Sequence, residues 1–180
     1  MNIYDIGLDK NPANFTQLTP LTFIERSATI FPEKTSIIYG NQKYSWKQTY
    51  ERCKRLASAL MQIGVTKNDT VSIIAANTPV MYEAHFGVPM SGAVLNTLNV
   101  RLSADTLAFM LQHSDAKVLL VDKEFSEVIA KALNQIEHSI YVIDIDDENV
   151  STGFSIGKIE YEAFLKTGDS NFNWIRPENE

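Results

Sequence analysis

The chain has 180 residues, 44% hydrophobic and 21% charged, with a formal net charge of −6. This length suits one domain, large enough to bury about 70% of its unfolded surface without disulfides or metal. The acidic balance argues against nucleic acid as the main partner, and eight glycines with six prolines are too few for a disordered or fibrous chain.

The first helix signal is Thr19-Pro20, an N-cap followed by proline at the first helical position. Leu21, Ile24, Ala28 and Phe31 then line one face, and Phe31-Pro32 ends the helix. Ser36–Tyr39 and Lys43–Ser45 flank Gly40-Asn41, a two-residue hairpin turn. Ser45-Trp46-Lys47-Gln48 reads as a capping box opening a helix that buries Cys53, Leu56, Ala57, Leu60 and Ile63 and stops at Gly64.

The period then changes. Val71–Ala76 is a nearly unbroken apolar run, as in a strand covered on both faces. Thr78-Pro79 opens a helix ending near Gly92, and Ala93–Leu95 is a short strand. Ser103 caps a helix to His113, Lys117–Val121 is a second buried strand, Glu124–Ile136 is helical, and Ile140–Ile143 is a third strand. Strands alternating with helices imply an α/β fold, a mostly parallel sheet with flanking helices and right-handed crossovers. The hairpin is expected at a sheet edge. Residues 1–140 balance 13 acidic with 13 basic side chains, while 141–180 hold nine acidic and three basic. The division expected is an α/β subdomain over 1–145 and a looser, acidic, surface-bound tail with one helix over 146–180.

Parallel sheets bind ligands at the carboxyl ends of their strands. Those ends carry Asn77, Asn96, Asp122 and Asp144. Side chains of these types also cap helices and make turns, and that structural reading is the heavier one. Gly87–Gly92 has the spacing of a phosphate loop but leaves a helix for a strand and lacks the Lys-Ser/Thr ending. Gly92 is expected to end the helix and Gly87 to let it lie close to the sheet. Lys43, Lys47, Arg52, Lys54 and Arg55 form a basic stretch, read as a solvated helix face with Glu51 and Arg55 paired at i,i+4.

His85 lies in a mostly apolar helix with only Glu83 near it, His113 at a helix C-terminus and His138 in a loop; none has the spacing of a metal pair or a catalytic dyad. The lone Cys53 excludes an internal disulfide and fits a reducing compartment. Met1–Lys10 carries no signal-peptide pattern, no stretch approaches the roughly 20 apolar residues of a membrane span, and Pro177–Glu180 matches no address signal, so the expected compartment is the cytoplasm.

The run Asn77–Leu102, with Asn77-Thr78-Pro79, His85-Phe86-Gly87 and Asn96-Thr97-Leu98-Asn99, resembles the AMP-forming acyl-CoA synthetases. Phe31-Pro32-Glu33-Lys34, Tyr44-Ser45-Trp46, Gly64–Val71 and His113–Asp122 support it in the same order. The resemblance is strongest to medium-chain fatty acid ligases and plant acyl-activating enzymes. It implies the first part of an adenylate-forming N-terminal domain, and a full-length reaction converting carboxylic acid, ATP and CoA, with Mg²⁺, to acyl-CoA, AMP and pyrophosphate. The family's Ser/Thr/Gly-rich ATP loop, ending Gly-x-Pro-Lys, would follow Trp174–Glu180. That loop, the Tyr-Gly-x-Thr-Glu segment, the ribose-binding Asp and the catalytic Lys have no counterpart here. The expectation is therefore a ligase fragment, inactive alone, with no catalytic or metal residue, no cofactor of its own, a tendency to self-associate, and the remainder of the synthetase as partner. A non-catalytic module binding a small ligand or partner, and one half of a split ligase, stay open beside it.

Overall fold

The computed structural model describes residues 3, 6, 7, 9, 11, 13–16, 18–174, 176 and 177. The readings of Met1–Lys10 and Pro177–Glu180 fall largely outside the described residues.

Helix α1 (Pro20–Ile30) is capped by Thr19 and buries Leu21 and Ile24. Phe31, expected on that face, is 46% exposed. Strands β1 (Thr35–Tyr39) and β2 (Gln42–Ser45) turn at Gly40, whose φ of +55° suits a glycine. They pair with each other as a two-stranded antiparallel sheet, so the hairpin is not an added edge of the main sheet. It is held instead by α2 and by the chain near residue 147, where the Tyr39 hydroxyl donates to Asp147.

Helix α2 (Trp46–Gln62) carries the expected capping box: Gln48 N donates to Ser45 Oγ at 3.3 Å, and Ser45 N to Gln48 Oε1 at 2.9 Å. The main sheet then forms from β3 (Thr70–Ile74), β4 (Val94–Thr97), β5 (Ala116–Asp122), β6 (Tyr141–Ile145) and β7 (Ile159–Glu160). Its order is β4-β3-β5-β6-β7, with every pairing parallel. Helices α3 (Pro79–Met90), α4 (Ala104–His113), α5 (Ser126–Leu133) and α6 (Tyr161–Thr167) complete the chain, a short 3-10 turn at Lys123–Phe125 preceding α5.

Side chains alternate across the sheet. Val71, Ile73, Val118, Leu120 and Ile143 pack with α2, α3 and α6, while Ile74, Leu119, Val121 and Val142 pack with α4 and α5. Both faces are covered, which is why these strands read as unbroken apolar runs. A third cluster joins Leu21 and Ile24 of α1 to Cys53 and Ala57 of α2, Met90 of α3, and Trp174.

The looseness expected beyond residue 145 does not extend to 159–174. β7 joins the same sheet, and Tyr161, Phe164, Leu165 and Trp174 are all buried. Charge density hid this. The i, i+3, i+4 spacing of Tyr161, Phe164 and Leu165 is a helix face, and the carboxylates lie around it.

Candidate functional site at the strand ends

Strand β3 leads through α3 to the outer strand β4, whereas β5 leads through α5 toward β6. The connections leaving adjacent β3 and β5 therefore diverge. That topological switch point is where open parallel sheets hold ligands. Asn77 follows β3 there, exposed, and Asp122 ends β5.

Most of the polar groups at the strand ends are engaged in the fold. Asn96 Nδ2 donates to Ser72 Oγ at 3.1 Å and Ser114 Oγ at 3.3 Å, pinning β4 to β3 and to the end of α4. Asp122, 1% exposed, accepts from Glu124 N at 3.1 Å and caps the turn before α5. Burial pushes its carboxyl up, the Glu124 amide opposes that, and Asp147 adds to the rise. Asp144 lies inside β6, one residue before its end, and accepts from Ile156 N at 3.2 Å and Gly157 N at 2.9 Å. Its carboxylate folds the connection to β7 back onto the sheet. The capping and turn reading thus holds for Asp122 and Asp144, and Asn96 is a cross-strand pin. Only Asn77 faces open space.

The histidines do not assemble a site. His85 is exposed on α3, its Nδ1 2.8 Å from Met81 O. His113 stacks on Phe109 with ring centroids 5.5 Å apart. His138 Nε2 lies 3.1 Å from Ala116 O. Cys53 is fully buried, which pushes its thiol well up and leaves it no nucleophile. Among the described residues no group of three or more His, Cys, Asp or Glu could hold a metal ion.

Gly87 has a different neighbour from the one expected. A Cβ there would lie 2.8 Å from Leu56 Cδ2 and 2.9 Å from Cys53 O, so the close approach is to α2, not to the sheet. Gly92, with φ +84°, ends α3 as expected.

The basic stretch conceals the feature that sequence reasoning missed. Arg52 Nε lies 2.5 Å and Nη2 3.2 Å from the two carboxylate oxygens of Glu83, whose side chain is fully buried. Arg52 also reaches Glu162, Nη1 at 3.0 Å from Oε2, and Tyr161 Oη donates to Glu83 Oε2 at 2.7 Å. Arg55 Nη1 donates to Gly168 O at 2.7 Å, so this arginine holds α6 to α2. Burial pushes the Glu83 carboxyl up against the pull of Arg52. It pushes the Tyr161 phenol well up too, with Glu83 adding to the effect. A lone carboxylate in the apolar helix α3 was the available signal, because such a group needs a cation from elsewhere.

Two cavities open at the strand ends. One, about 580 Å³, lies between Ile37 and Ile38 of the hairpin and Pro79, Tyr82 and Phe86 of α3. The second, about 390 Å³, lies between α3 and the residues from Thr97 to Val100. Asn77, Met81 and His85, at i, i+4, i+8, line both. Neither is lined by Asp, Glu, Lys or Arg. Nearby, Lys123 Nζ is 2.7 Å from Asp146 and Asp122 and Asp144 are acceptors. These residues do not fit a triphosphate, which requires cations and free amides aimed at it.

Residues 24–168 match the family described as AMP-binding enzyme. The chain belongs to that family. It is 48% identical over 185 residues to the peroxisomal acetate/butyrate–CoA ligase of Arabidopsis thaliana, covering 96% of this chain and 32% of that protein. It is 47% identical to the acetate–CoA ligase of Humulus lupulus, covering 96% and 33%. The peroxisomal trans-cinnamate:CoA ligase of Petunia hybrida is 46% identical, with 96% and 32% covered. The chain thus spans about a third of the length of the curated relatives it matches. In fold it is similar to an anthranilate–CoA ligase crystallised with anthranoyl-AMP, with a TM-score of 0.81 at 16% identity, over 92% of this chain and 31% of that one. A benzoate–CoA ligase from Burkholderia xenovorans superposes with a TM-score of 0.73 at 19% identity, over 85% and 29%.

Proposed function

We propose that the chain is the N-terminal platform of an AMP-forming acyl-CoA ligase and does no chemistry by itself. The whole enzyme would join a carboxylic acid to CoA, consuming ATP and Mg²⁺ and releasing AMP and pyrophosphate. The observation that carries this reading is the coverage: nearly all of this chain matches about a third of each relative. The strand-end chemistry supports it: Asp122 Oδ1 and Asp144 Oδ1 accept from backbone amides of caps and turns, and Lys123 is paired with Asp146. The remainder of the ligase is the partner, supplied by the same polypeptide or by another. The acid is a fatty acid by the resemblance of the sequence, while relatives are named for acetate, butyrate, benzoate and trans-cinnamate.

The test compares the chain alone with a chimera. Residues 1–180 are joined to the remaining two thirds of the Humulus lupulus acetate–CoA ligase, and pyrophosphate release is followed with acetate, butyrate, benzoate and octanoate. The chain alone is expected to match a no-protein blank and the chimera to turn over. Acid-dependent release by the isolated chain would overturn the reading.

No helix among the described residues is long and apolar enough to cross a membrane. The compartment proposed is the cytoplasm. Relatives named peroxisomal supply the competing location, and a fluorescent fusion scored against a peroxisomal marker decides between them.

A further inference from the structure

The buried end of β5 carries a group that the fold leaves unsatisfied. Asp122 Oδ1 accepts from Glu124 N, but its buried Oδ2 has no hydrogen-bond partner among the described residues. The charges around it have the wrong sign. Glu124 follows β5, Asp146 and Asp147 follow β6, and each of these carboxylates disfavours an anion at Asp122. Burial pushes the Asp147 carboxyl up, yet hydrogen bonds from Tyr39 and Asn149 hold it below its usual value, so it stands beside Asp122 as an anion. The Lys123 ammonium is spent on Asp146 at 2.7 Å. Asp144 of β6 is turned to the Ile156 and Gly157 amides. Strand β3 runs alongside with the apolar Ile73 and Ile74. Helix α5 brings Ser126, and its Glu127 is paired with Lys131. The hairpin brings the Tyr39 phenol, uncharged until about pH 12. None of these groups is an unpaired cation.

Two pieces of chain close this corner. Residues 146–158, between β6 and β7, contain no helix or strand. They are tied down by Asp146 on Lys123, by the Tyr39 hydroxyl on Asp147 and by Phe154 N on Ser126 Oγ at 3.0 Å. Gly153 lies against the Lys123 carbonyl, and the Asn149 side chain lies against Gly40 at the hairpin turn. We infer that Asp122 is a proton-operated latch: while its carboxyl is neutral, residues 146–158 and the hairpin tip stay closed over the end of β5, and when it ionises they lift away. A neutral carboxyl buried there forgoes one hydrogen bond, whereas an anion forgoes its hydration with no counter-charge to replace it. Opening restores water to Oδ2 and draws Asp146 and Asp147 away. The sign follows from linkage. Burial first, and then the neighbouring carboxylates, raise the closed-state value above the ordinary 3.8. Closure is therefore strongest below about pH 3.8 and weakens as pH rises through the closed-state value. Because β5 borders the switch point with β3, the latch makes the shape of that strand end depend on pH. The inference uses only this chain's own groups and is independent of the ligase reading.

Two measurements on the full 180-residue chain test this. The first is a carbon-13 NMR titration of the aspartate carboxyls, with the Asp122 signal assigned through its backbone amide. Asp122 is expected to titrate above 3.8, the ordinary aspartate value. A midpoint at or below that value means that Oδ2 is solvated or paired, and overturns the inference whether or not any variant folds. The second is amide hydrogen exchange by mass spectrometry from about pH 4 to about pH 8, with EDTA present and the intrinsic pH dependence removed. Protection of residues 146–158 should fall by up to about tenfold per pH unit as pH rises toward the Asp122 midpoint, then level off. Helix α4 is the reference and should not follow this profile. Asp122→Asn keeps the shape and stays neutral, so its 146–158 segment should hold the low-pH protection of the parent throughout. Protection that is independent of pH in the parent, or that falls equally in Asp122→Asn, refutes the latch. So does closure restored at about pH 8 by calcium or magnesium in place of EDTA, which would assign the corner to a metal ion instead of a proton.

Discussion

Replacing Arg52 with methionine keeps much of the side-chain volume and removes the guanidinium from Glu83. The Glu83 side chain is fully buried, and Tyr161 Oη would be its remaining named donor, at 2.7 Å. Glu83 must then stay ionised without a counter-charge or take up a proton. Breaking a buried pair this way costs about 3–5 kcal/mol, but proton uptake sets a ceiling. From an ordinary carboxyl value of 4.5, protonation at pH 7 costs about 3.4 kcal/mol, at roughly 1.36 kcal/mol per pH unit. At pH 5 the same step costs only about 0.7 kcal/mol. The sign follows from linkage. In the variant the folded-state value of Glu83 lies above the unfolded one, so stability is complete below about pH 4.5 and falls as pH rises toward the folded value. Loss of the bonds to Glu162, whose side chain is 48% exposed, adds no more than about 1 kcal/mol. Urea unfolding of Arg52→Met and its parent at pH 5 and pH 7 is the assay. Because burial already raises Glu83 in the parent and removal of Arg52 raises it further, the variant should lose up to about 3 kcal/mol relative to its parent at pH 7 and clearly less at pH 5. Adding Glu83→Gln should recover most of the loss at pH 7 and remove its pH dependence. A loss under about 1 kcal/mol at pH 7, or one of equal size at both pH values, refutes the reasoning.

ATP should bind the isolated chain no more tightly than millimolar, about −4 kcal/mol, in calorimetry; micromolar binding would favour the ligand-binding module instead. The Tyr39 phenol, pushed up to about 12 chiefly by its hydrogen bond to Asp147, should titrate there by ultraviolet absorbance, and Asp147→Asn should return it toward 10. Because its folded value is raised, the linked stabilisation is whole below about pH 10 and lost as pH climbs to about 12. Gly87→Ala should destabilise by about 1–3 kcal/mol in urea melts, since its Cβ would meet Leu56 and the Cys53 carbonyl and push α3 from α2. A neutral result would mean that the two helices separate freely.

Local codes were legible because their physics is local. Thr19-Pro20, the Ser45–Gln48 box and Gly40-Asn41 each satisfy their own backbone, and each stands where the sequence placed it. The covered strands were legible too, since burial on both faces removes polar residues. Strand order was not, because the choice of β3 over β4 as the neighbour of β5 depends on which face each crossover packs. The two-residue β7 has no pattern of its own to read. At the strand ends, residue type favoured caps and turns, and Asp122 and Asp144 are used so. The Arg52–Glu83–Tyr161 group was hidden by sequence separation, Tyr161 lying 78 residues from its acceptor. Arg52 looked like one more surface cation because its neighbours Lys47, Glu51 and Lys54 have the spacing of a solvated face.

The destinations of the cations bear on what this segment contributes to a ligase. Arg52 closes on Glu83 and Glu162, Lys117 on Asp69, Lys123 on Asp146, and Arg176 on Glu25. Acyl adenylation develops negative charge on phosphate, and a site that catalyses it must hold cations and amides ready for that charge. Cations already satisfied by the protein's own carboxylates are poorly placed for the task. They instead tie α2 to α3 and α6, and the start of β3 to β5, around a sheet covered on both faces. Rigidity of this kind is what a reaction surface built on the strand ends by other segments would require, because catalytic groups must be held to within a fraction of an ångström. The segment therefore suits the role of platform proposed above.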